Sequence, residues 1–224
     1  MTQVSVELVV MTVQHDDLEV LLVRRPGNVW SLPSGPTYGS PLAVDAARAL
    51  HDQTGIDGIR LEQLFSFDRE GATQVAVSYL ALIAADRHPL APGSDIVEVR
   101  WFAINDLPAL VTGHADAIAY GHARLRAKTA YAPIAVQLLP EAFTLRELQA
   151  VYEVVLGERL DTRNFRRDAL AAGIVEAAGT ARRPGPGRPA RLYRSRGSEF
   201  SVTARERRIA GRIAQPSTPD ITPE

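Results

Sequence analysis

The chain has 224 residues, with 25 Lys and Arg against 26 Asp and Glu for a net charge of -1, and its length suits one or two domains. It has no cysteine, which excludes a disulfide scaffold, a thiol nucleophile and a thiolate metal site. Residues 4–8 alternate instead of forming a basic leader, and no apolar run approaches the roughly 18 residues of a membrane span, so the expectation is a soluble, cytoplasmic protein.

Residues 4–13 are mostly apolar and read as a strand; His15, Asp16 and Asp17 make a turn, and residues 18–24 return as a second strand. Residues 30–35 are a short extended piece ending in a loop that runs through Gly39. Pro41 suits a helix start because its missing N–H costs nothing there. Residues 42–54 have helical spacing, with Leu42, Ala46, Ala49 and Leu50 on one face and Gly55 as the stop. Strands are expected over 59–67, 74–84 and 96–102, the last with Val97, Val99 and Trp101 on one side and Glu98 and Arg100 on the other. An early helix on a mixed sheet predicts an α/β sandwich.

From residue 115 the period becomes helical, and helices are expected over 115–129 and 132–139, with a break at Pro140. Thr144 and Glu147 have the spacing of a capping box for a helix carrying Leu145, Leu148, Tyr152, Val155 and Leu156 and stopping at Gly157. Asp161 caps a second helix over 163–171, with Phe165 and Leu170 expected toward the core and Gly173 as the stop. Short strands over 174–178 and 190–194 flank a segment, 182–189, too rich in Pro and Gly to be regular. Residues 215–224 have the Pro, Ser and Thr content of a disordered tail.

The near-zero net charge hides a division. Residues 1–140 carry ten Lys or Arg against fifteen Asp or Glu, whereas residues 141–214 carry fifteen Arg against nine acids. An acidic front and a basic back are what a sensor joined to a nucleic-acid reader shows.

The segment from Leu32, Pro33, Ser34 and Gly35 to Thr54, Gly55 and Ile56 resembles the Nudix box, a loop, helix and loop whose glutamates hold divalent cations on a diphosphate. Gly35, Arg48, Leu50, Gly55 and Ile56 stand where the pattern wants them, but the loop between Gly35 and Gly39 is one residue short. The four glutamate positions hold Ser40, Ala49, Asp52 and Gln53. One shortened carboxylate in place of four does not make a metal cluster, so the resemblance implies a Nudix fold without catalysis and with no cofactor. A hydrolase would need Asp52 with carboxylates from elsewhere, such as Glu98. For a nucleoside diphosphate the resemblance leaves Arg24, Arg25, Arg69 and His114 as candidate ligand residues, with Arg48 facing the box loop in a more structural role.

Phe143 to Gln149, Tyr152, Glu153, Leu156, Gly157, Leu160, Asp161 and the run Arg163, Asn164, Phe165, Arg166, Arg167 resemble the winged helix of the Nudix-related (NrtR-like) transcriptional regulators of NAD metabolism. Gly187, Arg188, Pro189, Ala190, Leu192, Tyr193 and Arg194 resemble that family's wing. Two capped helices joined by a short turn fit a helix-turn-helix independently. Thr144 and Arg146 begin the supporting helix, and Arg163, Asn164, Arg166 and Arg167 crowd the start of the reading helix. There Arg can pair with guanine and Asn with adenine, or either can hold phosphate. Arg182, Arg183, Arg188, Arg191 and Arg194 fall on the wing, suited to phosphate or the minor groove.

The expected architecture is therefore α+β: a Nudix α/β/α sandwich with a mixed sheet over 1–130, a winged helix-turn-helix over 131–214 and a tail over 215–224. The resemblance implies a homodimeric repressor on an inverted-repeat operator of double-stranded DNA, released by ADP-ribose or a related nucleotide. The alternatives are a weak ADP-ribose hydrolase and a regulator that answers to a sugar or another small molecule, a drift for which the shortened loop Pro36, Thr37, Tyr38 leaves room.

Overall fold

The computed structural model describes residues 3–27, 29–68, 74–130, 132–181 and 190–196. Its contacts divide into two compact units, Met1–Arg124 and Leu125–Glu224.

In the first unit β1 (Gln3–Gln14) and β2 (Asp17–Arg24) form a hairpin through His15 and Asp16, at φ 52° and 63°. Two left-handed residues make the turn whose twist matches that of the strands. β3 (Trp30–Ser31) pairs with β2, and β4 (Ser34–Pro36) with β1. β6 (Gln74–Leu82) runs parallel to β1 on its other side and pairs antiparallel with β5 (Glu62–Asp68). β7 (Glu98–Ala103) pairs antiparallel with β2, completing a mixed seven-stranded sheet. β1 is central, and Leu8, Val9, Val10 and Met11 are all fully buried. A strand covered on both faces reads as a continuous apolar run, which is what this stretch is.

The two faces have separate covers. α1 (Leu42–Thr54) places Ala46, Ala49 and Leu50 against Val6, Leu8, Val10, Val77, Tyr79 and Ala81. α2 (His114–Thr129) lies on the opposite face, so close at Gly121 that a Cβ there would stand 2.9 Å from Val9 Cγ1. The arrangement is the α/β/α sandwich expected from the sequence. The division between units falls inside α2, after Arg124.

The second unit holds α3 (Leu145–Leu156), α4 (Thr162–Ala171) and the antiparallel hairpin of β8 (Val175–Ala181) and β9 (Ala190–Ser195), the form of a winged helix. Its core is built on fully buried Tyr152, whose ring meets Phe165 edge-on at 5.4 Å between centroids, with Phe143, Leu148, Val155 and Ala169 around it. The capping box of Thr144 and Glu147 is formed in both directions, and Asp161 caps α4 through the N–H of Asn164.

Four expectations are corrected. The helix over 132–139 is a 3-10 turn, Ile134–Leu138, because Pro133 and Pro140 leave too few residues between them for an α-helical nucleus. β5 begins at Glu62, not at 59: Gly58 turns the chain at φ 63°, and Ile59 and Leu61 reach the α1-side core from a loop. Val97 precedes β7 and is exposed, leaving Val99 and Trp101 to pack inward. Leu170 is 47% exposed, because Phe165 and Ala169, one turn apart, already occupy the core face of α4. The segment 182–189 and the tail over 215–224 lie outside the described residues. Among the described residues no helix is long and apolar enough to cross a membrane.

Candidate effector site and nucleic-acid interface

The box region is built around Ser34, on the loop side of α1. Gln53 pairs with its backbone in both directions: Ser34 N–H donates to Gln53 Oε1 at 3.2 Å, and Gln53 Nε2 donates to the Ser34 carbonyl at 2.6 Å. Arg25 adds a donor to the same carbonyl at 3.3 Å and another to Ser31 Oγ at 3.4 Å. Further along the loop, buried Asp45 accepts from Tyr38 N–H at 3.0 Å and from Arg48 Nη1 at 2.9 Å, and the Arg48 guanidinium lies 5.3 Å from the Tyr38 ring centroid. The short loop is thus closed onto α1 by an amide, a carboxylate and two guanidinium groups.

That donor set does not fit a divalent cation. Ser40 and Ala49 bring no carboxylate, and Gln53 is engaged with Ser34 through a donating N–H that a carboxylate lacks. Asp52 is exposed. Its backbone carbonyl is walled by Gly93, where a Cβ would fall within 1.9 Å of the oxygen. Among the described residues no three His, Asp or Glu side chains are grouped so as to hold a metal.

The other expected ligand residues are also held by the protein. Arg24 pairs with Glu98 at 2.7 Å and lies 5.5 Å from the Trp30 ring centroid. Glu98, one carboxylate on which a residual hydrolase could have drawn, is therefore already paired. Arg25 pairs in addition with Asp95 at 3.5 Å. His114, 2% exposed, is a core histidine: Leu32 N–H donates to Nδ1 at 3.0 Å, which puts any neutral-form proton on Nε2, 3.5 Å from Glu7 Oε2. Ser78 Oγ donates to the other oxygen of fully buried Glu7 at 2.5 Å. Arg69 lies outside the described residues. The structure brings Arg25, Gln53 and Ser34 together and leaves His114 in a separate buried network. Asp45, Gln53, Glu7 and Ser78 were missed as organising residues; a glutamate inside an otherwise apolar strand was the available signal for Glu7.

In the second unit α3 and α4 are locked by two side chains of α3. Gln149 Nε2 reaches the Leu160 carbonyl at 3.0 Å and Thr162 Oγ1 at 3.2 Å, and Glu153 accepts from Leu160 N–H at 2.9 Å and Arg159 at 3.0 Å. Burial would raise the Glu153 carboxyl, but the hydrogen bonds from Leu160, Gln149 and Arg159 hold it below its usual value. Arg163, Arg166 and Arg167 are exposed on the first turns of α4, and Asn164 is half-buried. Arg167 pairs with Asp168 at 2.8 Å. On β9, Arg194 pairs with Glu176, its cross-strand neighbour, at 2.7 Å, and the hydrogen bond from Arg194 lowers the Glu176 pKa. Phe143 and Tyr193 exchange backbone hydrogen bonds at 2.9 and 2.7 Å, tying the start of α3 to β9. Between them opens a cleft of about 300 Å³ lined by Thr144, Leu145, Arg146, Arg166, Ala190, Arg191 and Tyr193. Arg182, Arg183 and Arg188 lie outside the described residues.

Comparison with known proteins agrees with both halves. Residues 1–121 match the NUDIX domain, and residues 135–195 match the NrtR DNA-binding winged helix domain. The ADPR-responsive transcriptional repressor NtrR of Acinetobacter baylyi is 33% identical over 206 residues, covering 85% of this chain and 80% of that protein. The crystal structure of Shewanella oneidensis NrtR with a 27-mer DNA superposes with a TM-score of 0.75 at 30% identity, over 86% of this chain and 93% of that one. The NUDIX domain of the same Shewanella protein, complexed with ADP-ribose, matches 56% of this chain and 89% of its own length at 26% identity, with a TM-score of 0.50. A Nudix sandwich followed by this winged helix, matched through both domains, makes the chain a member of the NrtR family of Nudix-related regulators.

Proposed function

We propose that this chain is a transcriptional repressor that binds operator DNA through its winged helix and releases it when ADP-ribose or a related NAD-derived nucleotide occupies the Nudix unit. The observation that carries this reading is the capped helix pair with Arg163, Asn164, Arg166 and Arg167 exposed or half-exposed at the start of the second helix. That is the position from which a helix-turn-helix enters the major groove. Thr144, Arg146, Arg191 and Arg194 flank it, with Arg182, Arg183 and Arg188 between the two strands of the hairpin. The relative from Acinetobacter supports the effector, and the Shewanella complexes support both ligands.

In this reading the sensor spans 1–130 and the reader 131–214. The protein is a homodimer on an inverted repeat, and its targets are genes of NAD metabolism. The effector contacts include Arg24, Arg25, Arg48 and Arg69, with Arg24 and Arg25 exchanging acidic partners for phosphate, while His114 acts indirectly through the Leu32 backbone that it holds. The chain is a sensor and not a hydrolase, since the box retains Asp52 alone of four carboxylates.

The test is a mobility shift with the promoters of neighbouring genes, with and without ADP-ribose. The expected result is a retarded duplex that ADP-ribose frees, and loss of the shift in an Arg166→Ala, Arg167→Ala double variant. Release by a sugar and not by ADP-ribose would reassign the effector. Magnesium-dependent cleavage of ADP-ribose, abolished by Asp52→Ala, would overturn the non-enzymatic reading.

A further inference from the structure

The arginines of the winged helix fall into two electrostatic classes. Arg159, Arg167, Arg194 and Arg196 are each beside a carboxylate of their own unit: Glu153 for the first, Asp168 for the second and Glu176 for the other two. Arg146, Arg163, Arg166 and Arg191 have no ion-pair partner among the described residues; Arg191 makes only a ring contact, 5.6 Å from the Tyr193 centroid. Three of them, Arg146, Arg166 and Arg191, from three different elements, line the cleft between α3, α4 and β9.

The strand geometry explains the sorting on β9. Side chains alternate across a strand, so Arg191 and Tyr193 share the face turned to the helices. Arg194 is on the other face, directly opposite Glu176. The double backbone hydrogen bond between Phe143 and Tyr193 holds β9 and the start of α3 in one piece, so the cleft is preformed. Its lining is mostly apolar, with Leu145, Ala190 and Tyr193, and includes three arginines that have no ion-pair partner among the described residues. Glu147, the acid nearest in sequence, is turned back onto the Thr144 N–H and does not line it.

Resting on the DNA-binding reading above, we infer that this cleft is a sequence-independent clamp for one deoxyribose-phosphate of the DNA backbone, held by Arg146, Arg166 and Arg191. The apolar lining takes the sugar and the guanidinium groups take the phosphodiester oxygens. The volume of about 300 Å³ is at the lower limit of sites that enclose a small molecule, which suits one backbone unit better than a whole dinucleotide effector. Arg166 is thereby separated from its neighbour Arg167: it anchors the helix on the duplex and does not read a base.

The test uses the full chain and fluorescence anisotropy with an operator duplex and a random duplex across a salt series. Arg146→Gln, Arg166→Gln and Arg191→Gln each weaken binding to both duplexes by the same factor, and each lowers the slope of log affinity against log salt by about one. The corresponding Lys variants keep the slope, and unchanged thermal unfolding midpoints show that the Gln variants fold. A single neutral methylphosphonate in the operator weakens the wild-type protein and leaves the affinity of Arg166→Gln where it was. A changed ratio of operator to random affinity would make these arginines base readers and overturn the clamp. An unchanged salt slope would overturn it as well, as would calorimetry showing that Arg166→Gln loses ADP-ribose binding while keeping its affinity for DNA. A wild-type protein that binds neither duplex overturns the DNA-binding reading itself; a wild type that binds while the variants match it overturns the clamp alone.

Discussion

Gln53 makes a contact that the glutamate of a catalytic box could not. Its Nε2 donates to the Ser34 carbonyl while its Oε1 accepts from the Ser34 N–H, a pairing available only to an amide. Gln53→Glu, which puts back the residue type of a catalytic box, sets a carboxylate oxygen against that carbonyl. It should cost about 1–3 kcal/mol of unfolding free energy in urea titrations, the range for a buried polar group deprived of its partner. No loss of stability would show that Arg25, Asp45 and Arg48 hold the loop without Gln53. Tyr152 poses the opposite case. Its hydroxyl is buried with no hydrogen-bond partner among the described residues, and burial pushes its pKa far above the usual value. Tyr152→Phe keeps the edge-on contact with Phe165 and should raise stability by about 1 kcal/mol in the same assay. A clear loss would mean that the hydroxyl has a partner after all.

The helix pair is set by its turn more than by its caps. Caps decide where α3 and α4 begin, but the angle between them depends on Gln149 and Glu153 reaching Leu160 and Thr162 across the turn. Because the Glu153 carboxyl is held below its unfolded value, its contribution is present above pH about 4.5 and is lost as pH falls through the lower folded value. Unfolding free energy measured from pH 7 to pH 3 should therefore fall on the acid side. The decline should be smaller in Glu153→Gln, whose amide cannot titrate. Equal pH slopes in the two proteins would remove Glu153 from the acid sensitivity. Element boundaries were most legible where local chemistry is strong. α1 and α3 run over the expected 42–54 and 145–156, since each has a clear period and a glycine stop in the left-handed conformation. The segment 132–139 and the start of β5 were not, because two prolines and a loop carried apolar residues that imitate an element.

At the scale of the whole molecule the proposed function is a coupling between two ligands. Thermodynamic linkage requires that whatever factor ADP-ribose takes from operator affinity, the operator takes from ADP-ribose affinity. Titrating ADP-ribose into the free protein and into the protein saturated with operator should give dissociation constants in the same ratio as operator affinities measured without and with ADP-ribose. Identical ADP-ribose affinity on and off DNA would show that the two units do not communicate. The charge division belongs at this scale too: the acidic front and basic back fit the proposed division of labour, because a basic surface supplies non-specific attraction to phosphates.

The sequence by itself determined the order of domains, the capped helix pair, and which carboxylates the box has lost. These depend on residue identity and on neighbours three or four positions away. Tertiary structure alone decided what each arginine is free to do. Arg194 meets Glu176 from 18 residues away across a hairpin, and Arg24 meets Glu98 from 74 residues away across two strands, whereas Arg166 and Arg191 line an open cleft without an ion-pair partner among the described residues. The charge of an arginine is local, but its neutralisation is a contact between distant segments. A basic run therefore shows where positive charge is available, and only the fold sorts which of its members meet an acid.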